Sequence, residues 1–66
     1  MAKTLHQYRA AFSRCHDGAY RQMGLRYIRD AIMLQGRNDK RVAELTACLP
    51  MLLAQAEEVT RLRAGA

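Results

Sequence analysis

Val42, Leu45, Leu49, Leu52, Ala56 and Val59 recur at spacings of three and four residues. That rhythm places one apolar face along a helix from about Lys40 to Arg63. Asn38 or Asp39 ahead of it can accept hydrogen bonds from the first free backbone N–H groups, and an acidic residue suits a helix start. Pro50 interrupts the pattern. Proline removes the N–H that would bond to Thr46 and crowds the preceding turn, at about 3 kcal/mol in an unkinked helix interior. It falls opposite the apolar stripe, and the phase of the stripe carries through it. A bend around the apolar side is therefore favoured over a break, with a new helix starting at Pro50 as the alternative.

Two earlier segments carry the same kind of pattern. Leu5, Tyr8, Phe12 and Cys15 form a stripe within about residues 4–16, with Thr4 as the expected N-cap. Tyr20, Met23, Tyr27, Ile28, Ala31 and Leu34 form another within about residues 19–35. At about 100° per residue the two stripes project roughly a quarter-turn apart. A break at Asp17-Gly18 would let both face one core, with Asp17 capping the second helix. A single long helix through Gly18 with a broad apolar face is the other reading. In the second segment Gln22, Arg26, Arg29 and Asp30 make the polar side. Leu25 and Ile32 lie away from it and widen the apolar arc, so this helix is expected to be contacted from two directions. Gly36 is a natural residue just past a helix end, because it takes the left-handed conformation without a Cβ penalty. No alternating stretch suggests a strand. The expected fold is all-α, one small domain over residues 1–66. A helical hairpin resembling an antiparallel coiled coil follows a short N-terminal helix.

Length sharpens this reading. Below about 70–80 residues a single core seldom supplies more than about 3–5 kcal/mol, so a 66-residue chain is expected to need a staple or a partner. Cys15 and Cys48 could tie the first and last helices together, but two reduced thiols near apolar faces is the preferred reading. His6, Cys15 and His16 lack paired metal-ligand spacing, and no metal or other cofactor is expected. No apolar run approaches the length of a membrane span, and nothing at the N-terminus resembles a signal peptide. A cytoplasmic chain is expected.

The chain carries a net charge of +5, unevenly spread. Nine of its Lys and Arg residues lie in residues 1–41, and three of its six acids lie beyond them. Phosphate contacts from Arg21, Arg26, Arg29, Arg37, Lys40 and Arg41 would suit nucleic acid. Their helical spacing distributes them around the circumference, however, and no recognition-helix pattern accompanies them. Catalytic sets do not hold together either. Cys15, His16 and Asp17 are sequence neighbours, and adjacent helical residues do not face each other. A non-enzymatic protein is expected, which binds a protein partner or a second copy through apolar helix faces.

The stretch Ile32-Met33-Leu34-Gln35-Gly36-Arg37-Asn38-Asp39-Lys40-Arg41-Val42 ends one helix at a glycine and opens another. Apolar positions then follow at Leu45, Leu49, Leu52, Leu53, Val59 and Leu62. Over about residues 19–62 this resembles the small co-chaperones of type III secretion needle proteins, the YscE/PscE-like family. The resemblance implies a helical hairpin that binds a helical-repeat chaperone, the pair keeping the needle subunit unassembled in the cytoplasm. Carried over by position, the partner-binding residues would be Tyr20, Met23, Tyr27, Leu45, Leu49 and Leu52. The same six could instead form the hairpin's own core or a homodimer seam. A small phage or plasmid regulator that inhibits a host protein would show the same physics, and a basic DNA- or RNA-binding regulator is the further alternative.

Overall fold

A computed structural model describes residues 3–65. Its three helices are α1 (Leu5–Ser13), α2 (Gly18–Leu34) and α3 (Asp39–Ala64). Among the described residues there are no strands, and no helix is long and apolar enough to cross a membrane. The all-α fold is the one expected: a hairpin of α2 and α3 with a short helix before it.

Each helix starts where a side chain can satisfy its free N–H groups. The Thr4 hydroxyl accepts from Gln7 N at 3.2 Å, and Gln7 Oε1 accepts from Thr4 N at 2.9 Å, a reciprocal capping box. The Asp17 carboxylate accepts from Tyr20 N at 3.0 Å, and Asn38 Oδ1 accepts from Arg41 N at 3.2 Å. The chain therefore breaks at 14–17, as the phase change implied, although α1 ends earlier than expected, at Ser13 instead of His16. Gly36 has a φ of 77°, the left-handed turn that closes α2. The α3 helix runs continuously through Pro50, whose side faces solvent, so the proline does not start a new helix.

At 1.5 Å per residue α2 is about 25 Å long and α3 about 39 Å. They run antiparallel from the turn at Gln35–Asn38, and α1 packs against both. The core joins Tyr8 and Phe12 of α1, Ile28 of α2, and Leu49, Leu52 and Leu53 of α3. Phe12 and Leu49 are fully buried, and no buried side-chain polar atom among the described residues lacks a partner. The chain thus assembles one core from these three helices.

Phe12 reaches this position because α2 has a glycine beneath it. A Cβ built on the buried Gly24 would overlap the Phe12 ring carbons. Glycine in a helix interior costs about 1 kcal/mol relative to alanine. Here that cost is offset by burial of an aromatic ring, which stabilises by about 1.5–3 kcal/mol.

The α1–α2 corner is tied on both sides. Arg21 Nη1 donates to the Cys15 carbonyl at 3.0 Å. The second Asp17 oxygen meets Arg63 Nη1 at 2.9 Å, which fastens the last turn of α3 to the first turn of α2. The Tyr20 N–H, and after it the Arg63 guanidinium, hold the Asp17 carboxyl below its ordinary pKa.

Two measurements follow from these contacts. Gly24→Ala should lower unfolding stability by about 1–3 kcal/mol in urea titration, the cost of overpacking. An unobstructed helix site would instead gain up to about 1 kcal/mol. The loss should shrink in a Phe12→Leu background, where the ring is gone. The second concerns acid. A carboxyl with a depressed folded pKa contributes stability that is complete above the unfolded value and is lost as pH falls through the folded one. Wild type should therefore melt above Asp17→Asn near neutral pH, and the two should converge in thermal scans taken down to about pH 2.

Candidate functional surface

The core divides the six partner-binding candidates into two groups. Leu45, Leu49 and Leu52 of α3 are buried inside the chain, at 4%, 0% and 9% exposure. They pack in the intramolecular interior and offer little surface to a partner in this fold. Leu49 and Leu52 share one core cluster with Ile28 of α2 and with Tyr8 and Phe12 of α1. Tyr20 and Tyr27 are half-buried, packed against the same core at its margin. Met23 is exposed.

Among the described residues, two open surfaces that include α2 are lined by apolar side chains. One lies along the α2–α3 seam, where Tyr20 is joined by Met51, Ala54 and Val59 in a shallow groove that also takes in Glu58. The other is a cleft of about 480 Å³ between α1 and α2. Leu25 and Ile28 line it, with Ile32 and Met33 at 45% and 64% exposure. Arg9 and Ser13 of α1 make one wall, and Arg29 of α2 stands on the other. A neighbouring recess, formed by Gln22, Leu25, Arg26 and Arg29, shares Leu25 and Arg29 with it. The open surface thus continues along α2 from Gln22 to Met33, about 16 Å or three helical turns.

The geometry explains why this cleft stays open. Phe12 seats α1 on Gly24, and α1 ends at Ser13, so it covers only part of the wide apolar arc of α2. Leu25 and Ile32 were legible as the residues that widen this arc. Met33 and Met51 were not, because each stands off the three-four rhythm of its helix's apolar stripe. Gly24, which sets the seat of α1, was also missed. Its only signal was an isolated glycine inside a helical pattern.

The six basic candidates for nucleic acid do not share one surface. Arg21 is engaged at the Cys15 carbonyl beside the α1–α2 corner. Arg26 lines the recess beside the cleft and Arg29 lines both, lying 3.5 Å from Asp30. Arg37 and Lys40 are exposed near the hairpin turn, and Arg41 lies 3.8 Å from Glu44. The corner and the turn stand at opposite ends of α2, about 25 Å apart.

A third concavity, between α1 and the second half of α3, contains Cys15 beside Leu53, Ala56 and Glu57. Partial burial, and then the Glu57 charge, push the Cys15 thiol above its ordinary pKa, which keeps it in the less nucleophilic protonated form. Cys15 and Cys48 are both free thiols. Among the described residues no three His, Cys, Asp or Glu side chains are grouped to hold a metal ion.

No family model, curated protein or solved structure matches this chain.

The division of the candidate residues can be measured directly. Leu49→Ala should cost about 2–5 kcal/mol of unfolding free energy, as expected for a buried leucine. Met23→Ala should stay within about 0.5 kcal/mol of wild type, as an exposed side chain does. Urea titration of the two variants distinguishes them.

Proposed function

We propose that this chain is a non-enzymatic protein-binding module, a small helical co-chaperone or adaptor that engages a partner through apolar helix faces. The observation that supports this is the second apolar side of α2. One side of that helix enters the core through Ile28 and Ala31, while Leu25, Ile32 and Met33 line an open cleft on another. Scattered single apolar residues are ordinary on a surface, but clustered ones lining a concavity favour a binding role.

The resemblance to needle-protein co-chaperones extends this reading. In that form the partner is a helical-repeat chaperone in the cytoplasm, and the pair holds a secretion needle subunit unassembled. Tyr20, Met23 and Tyr27 stay available to such a role at the surface or its margin, whereas Leu45, Leu49 and Leu52 act in the core that supports it. An inhibitor of a host protein would use the same apolar surfaces. Recognition of DNA or RNA has less support, because the basic groups are distributed between the cleft and the hairpin turn.

The test is affinity capture from cells that encode the chain, with wild type and an Ile32→Glu/Met33→Glu variant as baits. A stoichiometric protein partner retained by wild type and lost by the folded variant is the expected result. If the partner is a repeat chaperone, adding it should also keep the needle subunit soluble. A monomer that captures no protein would overturn the proposal, and folding of the variant is checked by circular dichroism.

A further inference from the structure

We infer that the cleft between α1 and α2 receives an acidic amphipathic helix, whose apolar side lies on Leu25, Ile32 and Met33 and whose carboxylates meet Arg9, Arg26 and Arg29. This rests on the protein-binding reading and specifies the place and the chemistry of the partner.

Shape and sign together carry the inference. The apolar residues from Leu25 to Met33 extend about 12 Å along α2, which matches two to three turns of a docked helix with anchors at i, i+3 or i+4, and i+7. Arginine supplies every formal charge on the lining of the cleft and its adjoining recess. Arg9 and Arg26 have no carboxylate within 4 Å among the described residues, and Arg29 has only its neighbour Asp30 at 3.5 Å. The other acids of the described chain are committed elsewhere or lie on α3. Asp17 is at the corner with Arg63, and Glu58 pairs with Arg61. Guanidinium groups beside an apolar floor can lay their stems along it and keep their charges at the edge. A carboxylate accepts two parallel hydrogen bonds from such a group.

The same arrangement selects against two other occupants. A second copy of this chain, docking cleft to cleft, would bring its own three arginines against these three. Like-charge juxtaposition of that kind disfavours such a pairing. A nucleic-acid backbone would use the arginines but leave the floor of Leu25, Ile32 and Met33 without an apolar partner. An amphipathic helix satisfies both the floor and the rim.

The experiment uses the full chain and three fluorescent peptides of about 15 residues, all constrained to be helical and sharing one leucine stripe. The positions flanking the stripe are Glu in the first, Gln in the second and Lys in the third. Fluorescence anisotropy should show the Glu peptide binding at least about tenfold more tightly than the Gln peptide, and the Lys peptide more weakly than either. The Glu advantage should fall as salt is raised. It should disappear in Arg9→Gln/Arg26→Gln/Arg29→Gln, which should retain the Gln peptide, and Ile32→Gln/Met33→Gln should lose all three.

Equal affinity for the Glu and Gln peptides would overturn the acidic assignment and leave the protein-binding reading intact. Failure of every peptide would overturn the cleft as a helix site. Affinity capture then distinguishes the cases, since a partner retained by Ile32→Glu/Met33→Glu binds elsewhere, and no partner at all removes the broader reading as well. A dimer in sedimentation equilibrium that dissociates in Ile32→Gln/Met33→Gln would replace the helix with a second copy. Duplex DNA that displaces the Glu peptide, and that is lost in the arginine variant, would replace it with nucleic acid.

Discussion

The ring of Phe12 lies where a Cβ on α2 would otherwise be, and the arrangement of the three helices depends on that substitution of ring for side chain. Two helices of a hairpin bury one seam and leave their broad apolar arcs exposed. The third helix closes the larger part of that exposure only if it can approach closely, and α1 has nine residues with which to do so. Phe12 concentrates its contribution in one fully buried side chain, with Tyr8 one turn earlier. Moving α1 along α2 by one turn in either direction would bring the ring over Tyr20 or Ile28, where side chains already occupy the space. The steric contrast between Gly24 and its neighbours therefore sets the position of α1 as well as its depth. That position in turn determines which part of α2 is left uncovered.

Much of this was legible in the order of residues. The three-four rhythm located all three helices, and Thr4, Asp17, Asn38 and Gly36 marked their ends. These signals are local, each depending on a few neighbouring residues and their backbone chemistry. Leu45, Leu49 and Leu52 show where local signals stop. Periodicity identifies an apolar face, but it does not say whether the covering body is the same chain or another. The cover that α1 gives in this fold depends on Gly24, whose role is a contact with a residue twelve positions earlier. The cleft was legible in part for the same reason. The excess apolar width of α2 was visible, whereas the neighbouring Arg9 comes from α1 and is brought there by the fold.

Charges play a smaller part in holding the structure than in defining its surface. Arg29–Asp30, Arg41–Glu44 and Arg61–Glu58 are exposed, and pairs of that kind contribute little, about 0–1 kcal/mol. The core is apolar, and its polar demands are met by caps and by threonine hydroxyls that return to the helix backbone, such as Thr46 to Val42 at 2.7 Å. The positive excess is thus free to serve recognition, because no arginine on the cleft is needed to close the fold.

Asp17 is the exception, since one carboxylate both starts α2 and holds Arg63. The final turn of a helix is ordinarily the first to fray, its last carbonyls having no partners within the helix. Here the end of α3 is attached to an otherwise distant corner through a guanidinium that remains largely exposed to water. Ions in solution can screen that attachment while leaving the apolar interior untouched. Ionic strength therefore acts on this molecule unevenly: it loosens the tip of its longest helix long before it disturbs the core.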